Sequence, residues 1–418
     1  MRPWYKNLDW TVLAAWVGLV SIGLTAIYSA THGPAREFLL LSVQQNFDRQ
    51  LQWFVISAFV LTMILFTPAR LIQRLALPAY AGGIALLLGA LAFGTEVNGA
   101  KAWLYLGPIG LQPGEIAKVG TVLALAFLLS TKEARTGGFR FVLLAGGVVF
   151  LPAALLLAAN DTGTALVFLA LVPVMLFWSG LVPLTWMALM LAPAVAAYLA
   201  IVSLTAALVF AVAFTAAMLM LARSQAMAGL ALGVSGGTGI AAWLGLNKIL
   251  QPHQVGRIKA FVDPEAYRLT EGFHVIQAKA AIGSGGFLGK GFTNGTQTQL
   301  AYIPEQSTDF IFCVIGEEFG FVGAMVLLSL FAWLLIRLAS VGAAAAFSFP
   351  RLVAAGVTGV FLFHILINIG MTVGLMPVIG IPLPLISYGG SALLANTMLI
   401  AITLNLAARR DEFAVYSG

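Results

Sequence analysis

Long apolar runs dominate this sequence, and each is long enough, at about 20 residues, to cross a bilayer as a helix. In hydrocarbon every backbone polar group needs a partner within the protein, so such runs are expected to be helical. Short polar stretches separate them. The runs predict twelve spans, near residues 10–30, 50–67, 73–93, 114–130, 140–159, 163–179, 184–200, 202–222, 226–248, 309–336, 352–373 and 389–407.

The charge content agrees with a membrane protein. Only 9% of the 418 residues are charged and 60% are hydrophobic, whereas soluble domains carry about 25% charged residues. We therefore predict an all-α polytopic membrane protein that forms one integral membrane domain over residues 1–418. The first run lacks a convincing cleavage site and is interpreted as a retained span. The one cysteine, Cys313, excludes a disulfide within the chain.

Basic residues between the spans orient the predicted bundle. By the positive-inside rule, the side that carries them is cytoplasmic, and both termini lie on that side. The long loop at 249–308 then lies on the extracytoplasmic face of the membrane, although it is also basic. Its cations suit either an anionic substrate at the membrane surface or ordinary solvation. The orienting residues are Arg2, Lys6, Arg70, Arg74, Lys132, Arg135, Arg140, Arg223, Arg337, Arg351, Arg409 and Arg410.

A first polar island runs from Asn98 to the start of the fourth span. Glu115 and Lys118 are three residues apart, so they share one face of the predicted helix. Charges at the lipid boundary are paired or face a cavity, so this pair either orients the helix or serves the function. Upstream lie Lys101 and Trp103. Trp103 is either part of a site or an interfacial anchor.

Asp161 stands in a second island, Asn-Asp-Thr-Gly-Thr, directly before the sixth span. A side-chain oxygen at this position accepts a backbone N–H of the first helical turn, so we expect Asp161 to cap that helix.

The basic loop contains a glycine-rich stretch, GSGGFLGKG, at residues 283–291. Neither the P-loop spacing nor the dinucleotide-binding spacing is present, so no nucleotide is expected. The glycines favour tight turns or a close approach of two backbones. Arg257, Lys259 and backbone amides of the loop could contact a phosphate.

Carboxylates follow the basic loop. Asp309 opens the predicted span at 309–336, and Glu317 and Glu318 lie about two turns deeper. Asp309 is either a helix cap or a functional acid. Acids near a basic loop could act as a general base, or hold a divalent metal against a pyrophosphate.

A proline-rich stretch at 377–391 separates the last two spans. It offers little chemistry, and we interpret it as a rigid, tightly packed loop.

Several long phrases resemble one family. They are NGAKAWLYLGPIGLQPGEIAK, QAKAAIGSGGFLGKG, GTQTQL, IPEQSTDFIFCVIGEEFG and NIGMTVGLMPVIGIPLPLISYGGSA. Together they resemble the SEDS family (shape, elongation, division and sporulation; RodA, FtsW and SpoVE). The stretch GTQTQL before IPEQSTDF is more similar to the elongation-type RodA branch than to the division-type FtsW branch.

The resemblance implies an activity and a site. SEDS proteins polymerise lipid II into peptidoglycan glycan strands, beside a class B penicillin-binding protein and other elongasome membrane proteins. They work in the inner membrane, with the active site on its periplasmic face. The family's essential acid matches Asp309. The other motif positions around the family's central cavity match Trp103, Lys101, Glu115, Lys118 and Arg257.

The chain also departs from the family pattern. Gly114 replaces a usual Ser, Thr162 a usual Leu, and Ser307 a frequent His. Family members of the RodA type have ten spans, so the twelve predicted here imply a ten-helix core plus an extra pair around 184–248.

As a mechanism, we expect Asp309 to be the base or a metal-positioning carboxylate. Arg257, Lys259 and Lys101 would neutralise the pyrophosphate, together with a divalent cation such as Mg²⁺ or Mn²⁺. Lipid II and membrane lipid are the expected small-molecule partners, and nucleic acid is not. The alternatives are a flippase or transporter for the lipid-linked precursor, the division-type polymerase, and a noncatalytic scaffold.

Overall fold

The chain is a helical, multi-pass membrane protein in a computed structural model that describes residues 4–97, 99–107, 109–136, 138–245, 252–410 and 412. Predicted features at Arg2, Asn98 and 246–251 lie outside these residues. Short 3-10 helices span Trp4–Asn7 and Pro34–Phe38. The α-helices and strands of the described residues are α1 (Trp10–His32), α2 (Leu41–Gln44), α3 (Asn46–Phe66), α4 (Ala69–Arg74), α5 (Ala76–Phe93), β1 (Thr95–Val97), β2 (Ala100–Leu106), β3 (Ile109–Leu111), α6 (Pro113–Leu129), α7 (Lys132–Thr136), α8 (Phe139–Ala158), α9 (Thr162–Ser179), α10 (Leu184–Val202), α11 (Leu204–Ala222), α12 (Gln225–Gly245), α13 (Pro252–Val262), α14 (Glu271–Ser284), α15 (Thr296–Gln299), α16 (Ile311–Glu318), α17 (Gly320–Ala343), α18 (Ser348–Thr372) and α19 (Gly390–Ala408).

The predicted spans match these helices closely. Within the described residues, 11 helices are long and apolar enough to cross a membrane. The remaining predicted span, at 114–130, corresponds to α6, which has 17 residues. Most helix ends fall within a few residues of the predicted ends, because the apolar runs stop where the spans stop.

The prediction of one continuous span at 309–336 is wrong. The structure divides this run into α16 and α17, which meet at Phe319. Gly320 has a φ of +63°, a left-handed conformation that glycine tolerates and that ends the helical path. The glycine-rich loop takes up the freed backbone groups: Lys290 N–H donates to the Glu317 carbonyl, and Phe321 N–H donates to the Gly286 carbonyl.

A small sheet between α5 and α6 adds to the predicted all-α fold. Strands β1, β2 and β3 pair antiparallel in that order, with Thr95 opposite Trp103 and Tyr105 opposite Gly110. The hydropathy pattern did not predict this sheet, because its strands are short and lie within a polar island. The sheet carries two of the predicted site residues, Lys101 and Trp103.

The chain forms two compact units. The first comprises residues 1–179, 277–375 and 379–418. Its centre is formed by α18 and α19, which are buried on nearly all sides, as helices that are apolar all round usually are. The beginning of α1 and the end of α19 lie at one end of this unit, where Asn7 donates to the Ala408 carbonyl and Arg337 pairs with Asp9, the N-cap of α1.

The second unit comprises residues 180–276 and 376–378. Helices α10, α11 and α12 pack through small residues, among them Ala196, Ala207 and Gly239. Helix α13 lies against α10, where the rings of Tyr198 and Phe261 are 6.0 Å apart. The region 184–248, where an extra pair of spans was predicted, contains these three helices, and the prediction that two of them are additions to a ten-helix core stays a prediction.

Candidate functional site

Asp309 is half-buried in the turn that precedes α16. This turn lies near the C-terminal end of α1, where Gln306 donates to the Ala30 carbonyl, away from the contact of Asn7 with Ala408. The N-cap residue of α16 is Phe310, so the alternative that Asp309 serves as this cap is wrong. A side chain from another helix holds the backbone of the turn. Asn368, on α18, donates a hydrogen bond of 2.9 Å to the Asp309 carbonyl.

The loop between α18 and α19 packs against this turn. We call residues 379–389 the proline loop. Most of it is buried, and Ser387 Oγ donates to the Thr308 carbonyl at 2.6 Å. A Cβ added to Gly380 would lie 3.3 Å from a carboxylate oxygen of Asp309, so the acid lies directly against this loop. The interpretation of the stretch as a rigid packed loop agrees with this geometry.

Glu115 and Lys118 form the predicted ion pair. Lys118 Nζ lies 2.8 Å from Glu115 Oε2, and both side chains are fully buried. A third partner was missed by the sequence analysis: His364 Nε2 lies 3.1 Å from Lys118 Nζ, and His364 Nδ1 lies 3.3 Å from the Pro382 carbonyl. A histidine inside an apolar span was the available signal. The pair is therefore linked to the proline loop.

Asp161 caps α9 as predicted, since its carboxylate accepts the Thr164 N–H at 3.1 Å. Gln112, just before α6, approaches the second carboxylate oxygen at 3.5 Å. Burial raises the pKa of Asp161, and the negative charge of Glu115 adds to this effect. The cap thus lies beside the buried pair, at the same end of the unit as Asp309.

The sheet is fixed to this end by backbone hydrogen bonds. Lys101 N–H donates to the Ala159 carbonyl at 2.9 Å, and Gln112 N–H donates to Ser391 Oγ at 3.0 Å. The Lys101 side chain is exposed. The Trp103 ring is partly exposed and stacks on Tyr105 with centroids 6.4 Å apart. A cation and an aromatic face are therefore presented at the surface.

Glu317 is occupied in a structural network. Its carboxylate accepts hydrogen bonds from Lys290 at 2.7 Å and from the N–H groups of Gln297 and Thr298, both at 2.9 Å. Burial opposes its ionisation, but these hydrogen bonds outweigh burial and hold the pKa of Glu317 at about 2. Such a saturated, strongly acidic carboxylate is poorly suited to act as a general base.

Glu318 is also buried, where it accepts hydrogen bonds from Ser29 and Gln299. Burial raises the pKa of Glu318. Its partners lie on α1 and α15, so it joins three elements of the fold. Of the three acids predicted to follow the basic loop, Glu317 and Glu318 are buried and Asp309 is half-buried.

The glycine-rich loop confirms the expected close backbone approach. A Cβ on Gly285 would overlap the Gly316 carbonyl oxygen, and one on Gly289 would overlap the Glu318 carbonyl oxygen. The N–H groups of Lys290 and Gly291 donate to the carbonyls of Glu317 and Glu318. These amides are therefore engaged within the protein, which argues against a phosphate cradle at this part of the loop.

Arg257 and Lys259 lie on α13 in the second unit, and both side chains are exposed. Lys259 lines a cavity of about 280 Å³ together with Ile201, Ile258 and Tyr267. Their predicted contact with a pyrophosphate held near Asp309 stays a prediction.

The described residues contain no group of three His, Cys, Asp or Glu side chains that could hold a metal. Mg²⁺ is commonly bound by one or two carboxylates together with substrate phosphates, rather than by an all-protein cage. Asp309, half-buried at the edge of the site, fits the part of such a single carboxylate ligand.

Two segments of the chain, residues 9–212 and 203–412, match the family model for the FtsW/RodA/SpoVE cell cycle proteins. The segments meet within the region where an extra pair of spans was predicted.

Similar curated proteins include the peptidoglycan glycosyltransferase RodA of Treponema pallidum (strain Nichols), which is 34% identical and is matched over 97% of this chain and 98% of its own length. The peptidoglycan glycosyltransferase MrdB of Escherichia coli (strain K12) is 31% identical over 97% of this chain and 95% of its own.

Solved structures agree. A chain from a peptidoglycan synthase complex, described as coordinating polymerization and crosslinking, superposes with a TM-score of 0.71 at 29% identity, over 98% of this chain and 99% of its own. The rod shape determining protein RodA of Thermus thermophilus gives a TM-score of 0.62 at 26% identity, over 96% and 97%. By these matches in sequence and structure, the chain belongs to the FtsW/RodA/SpoVE family of cell cycle proteins.

Proposed function

We propose that this protein is a peptidoglycan glycosyltransferase that polymerises lipid II into glycan strands for cell elongation. Two relatives matched over 97% of the chain carry the name peptidoglycan glycosyltransferase. The RodA and MrdB relatives are 34% and 31% identical, whereas the FtsW relatives are 28–30% identical. This difference favours the elongation type over the division type.

The observation that carries the proposal is the placement of Asp309. Its backbone is held by α18, its carboxylate lies against the proline loop, and its side chain is half-buried. An acid at such a position can accept the proton of an attacking hydroxyl.

In the proposed reaction, the 4-hydroxyl of one sugar attacks C1 of another. A new C1–O bond forms as the C1–O bond to pyrophosphate breaks. The hydroxyl proton passes to Asp309, and undecaprenyl pyrophosphate leaves with the electron pair. A bound divalent cation would add positive charge at the leaving pyrophosphate.

Cations of the protein would hold the leaving group. Lys101 is exposed on the sheet, and Arg257 and Lys259 are exposed on α13. Trp103 offers a ring face for a sugar. The buried Glu115–Lys118 pair would fix the start of α6 beneath the sheet, since a paired charge inside the protein holds one geometry.

The side of the membrane follows from the basic residues. We place both termini in the cytoplasm and Asp309 on the periplasmic face of the inner membrane, because the loops at the termini's end carry most of the orienting cations. A class B penicillin-binding protein would crosslink the strands, within a larger set of elongation proteins. The solved synthase complex that matches this chain supports such a partnership.

A polymerisation assay tests the proposal. Purified protein with its penicillin-binding partner is given labelled lipid II, and glycan polymer is resolved on a gel. Wild-type protein should form polymer, and Asp309→Asn should form none. The matched control is Glu305→Gln, which removes an exposed charge from the same turn and should leave polymerisation intact. Polymer formed by Asp309→Asn at the wild-type rate would contradict the proposed role.

One observation favours a second candidate. Buried charge pairs inside spans, such as Glu115–Lys118, are common in transporters. The second candidate function is therefore a flippase for the lipid-linked precursor. A flippase would move labelled lipid II across a vesicle bilayer and yield no polymer. The same purified protein can be tested in both assays.

A further inference from the structure

We infer that Asn368 and Ser387 are positioning residues that fix Asp309 for the reaction, an inference that rests on the function proposed above. They belong to elements far from Asp309 in sequence, and both donate hydrogen bonds to backbone carbonyls of its turn.

Three successive carbonyls of the turn each accept one hydrogen bond from the region of α18 and the proline loop. Tyr388 N–H donates to the Ser307 carbonyl at 2.8 Å. Ser387 Oγ donates to the Thr308 carbonyl at 2.6 Å. Asn368 Nδ2 donates to the Asp309 carbonyl at 2.9 Å. We call this set of three bonds the carbonyl clamp.

Asn368 can hold the turn in one arrangement only. Its side chain is completely buried, and its amide donates to the Asp309 carbonyl and, at 2.7 Å, to the Ile381 carbonyl. Turning the amide over would point its oxygen at two carbonyl oxygens, which is repulsive. The side chain therefore ties Asp309 to the proline loop through one rigid group on the central helix α18.

Ser387 is constrained in the same way. Its Oγ accepts the Leu383 N–H at 2.8 Å and donates to the Thr308 carbonyl. Because one lone pair is occupied by that N–H, the hydroxyl proton is directed at the turn. Ser387 is 4% exposed, so water does not readily replace this bond.

The clamp holds the backbone of Asp309, and the position of this backbone determines where the carboxylate lies. A catalytic group has to be held to within about 0.5 Å by its support, and errors of about 1 Å cost up to about a hundredfold in rate. Fixing carbonyls 307, 308 and 309 fixes the Cα from which the carboxylate extends. The three bonds of the clamp go to backbone carbonyl oxygens and not to the carboxylate oxygens of Asp309.

The test separates positioning from simple stability. Ser387→Ala removes one atom, and Asn368→Leu removes both N–H donors while keeping the branched shape of the side chain. Steady-state polymerisation with the penicillin-binding partner gives kcat and KM for lipid II. We expect kcat to fall about tenfold or more in each variant, with KM unchanged, because substrate contacts remain.

The matched control is Thr397→Val. Thr397 is fully buried in α19 and accepts a hydrogen bond from the indole of Trp16 at 3.0 Å, away from Asp309. This variant should unfold at a lower temperature while its kcat stays at the wild-type value.

The positioning role is wrong if the Ser387 and Asn368 variants, like the control, lose thermal stability and keep their kcat. Should Asn368→Leu fail to fold, the kcat of the smaller Ser387→Ala change decides alone. Asp309→Asn is measured in parallel. If that variant is inactive while the clamp variants are active, only the clamp is refuted; if it polymerises normally, the proposed function of Asp309 fails first.

Discussion

Glu317 and Glu318 are adjacent in the chain and have different roles at the end of α16. Glu317 faces Lys290 and the N–H groups that begin α15, and these donors favour its charged form. Glu318 points toward Ser29 on α1, where burial raises its pKa. At the residue scale, therefore, one acid is a charged anchor for the glycine-rich loop and the other joins helices.

Replacing Glu317 tests this anchor. In Glu317→Gln, an amide NH₂ would face N–H groups that now meet a carboxylate, and Lys290 would lose its partner. Removing one partner of a buried ion pair costs about 3–5 kcal/mol, so we expect a clearly lower unfolding temperature at pH 7. Circular dichroism of the protein in detergent measures it.

The effect should depend on pH in one direction. The folded pKa of about 2 lies below the ordinary value of 4.5, so the carboxylate stabilises the fold fully above pH 4.5. That stability is lost as the pH falls toward 2, and the difference between Glu317→Gln and the wild type should shrink over this range. The control Glu265→Gln changes an exposed acid and should show no difference at any pH. A constant difference down to pH 2 would show that Glu317 does not act through its charge.

Some residue contacts could be predicted from spacing and others could not. The Glu115–Lys118 pair follows from a separation of three residues, and the Asp161 cap follows from its place before a span. His364 lies 246 residues from Lys118 in sequence, and Asn368 lies 59 residues from Asp309. Such contacts depend on which helices become neighbours, and hydropathy carries no information on that.

At the scale of elements, the glycine-rich loop and the break between α16 and α17 depend on each other, because the loop packs against the break. The run at 309–336 is apolar apart from a few polar residues such as Asp309, Glu317 and Glu318, and hydropathy averaged over the whole run predicted one continuous span. The break exists because the loop supplies hydrogen bonds to the Glu317 and Glu318 carbonyls, and because its glycines let the two backbones meet. The glycines of the loop predicted a close approach of two backbones, but the sequence did not show that the second backbone is the end of α16.

Adding one methyl group at Gly285 should displace the glycine-rich loop from α16. In Gly285→Ala, the new Cβ would overlap the Gly316 carbonyl oxygen, so the loop has to move away from α16. We expect lower thermal stability and faster proteolysis within residues 284–298. Limited trypsin digestion in detergent, followed by mass spectrometry, measures the second effect through cleavage at Lys290.

Gly283→Ala is the matched control in the same motif. A Cβ there meets nothing within 4 Å, and alanine favours the helix α14. The control should be as stable as the wild type or slightly more stable. Equal behaviour of the two alanine variants would contradict the proposed docking of the loop on the break.

At the scale of the whole molecule, hydropathy predicted twelve spans; within the described residues 11 helices are long and apolar enough to cross a membrane, and the 17-residue α6 corresponds to the twelfth. Asn7, just before α1, donates to the carbonyl of Ala408, the last residue of α19, so the beginning of α1 and the end of α19 lie at one end of the first unit. The sheet, the clamp and the acid share the opposite end of the first unit, because α6 and α19 begin there and α18 ends there. The orientation of these two ends in the membrane therefore decides where Asp309 works.

Cysteine labelling determines that orientation. The native thiol of Cys313 is fully buried, so it should react only after unfolding. Glu96→Cys places an exposed thiol on the sheet, and Lys132→Cys places one at the other end of α6. With a membrane-impermeant maleimide on spheroplasts, Glu96→Cys should be labelled at once and Lys132→Cys only after the membrane is opened. The reverse pattern would put Asp309 in the cytoplasm, where the proposed polymerase could not deliver glycan to the wall.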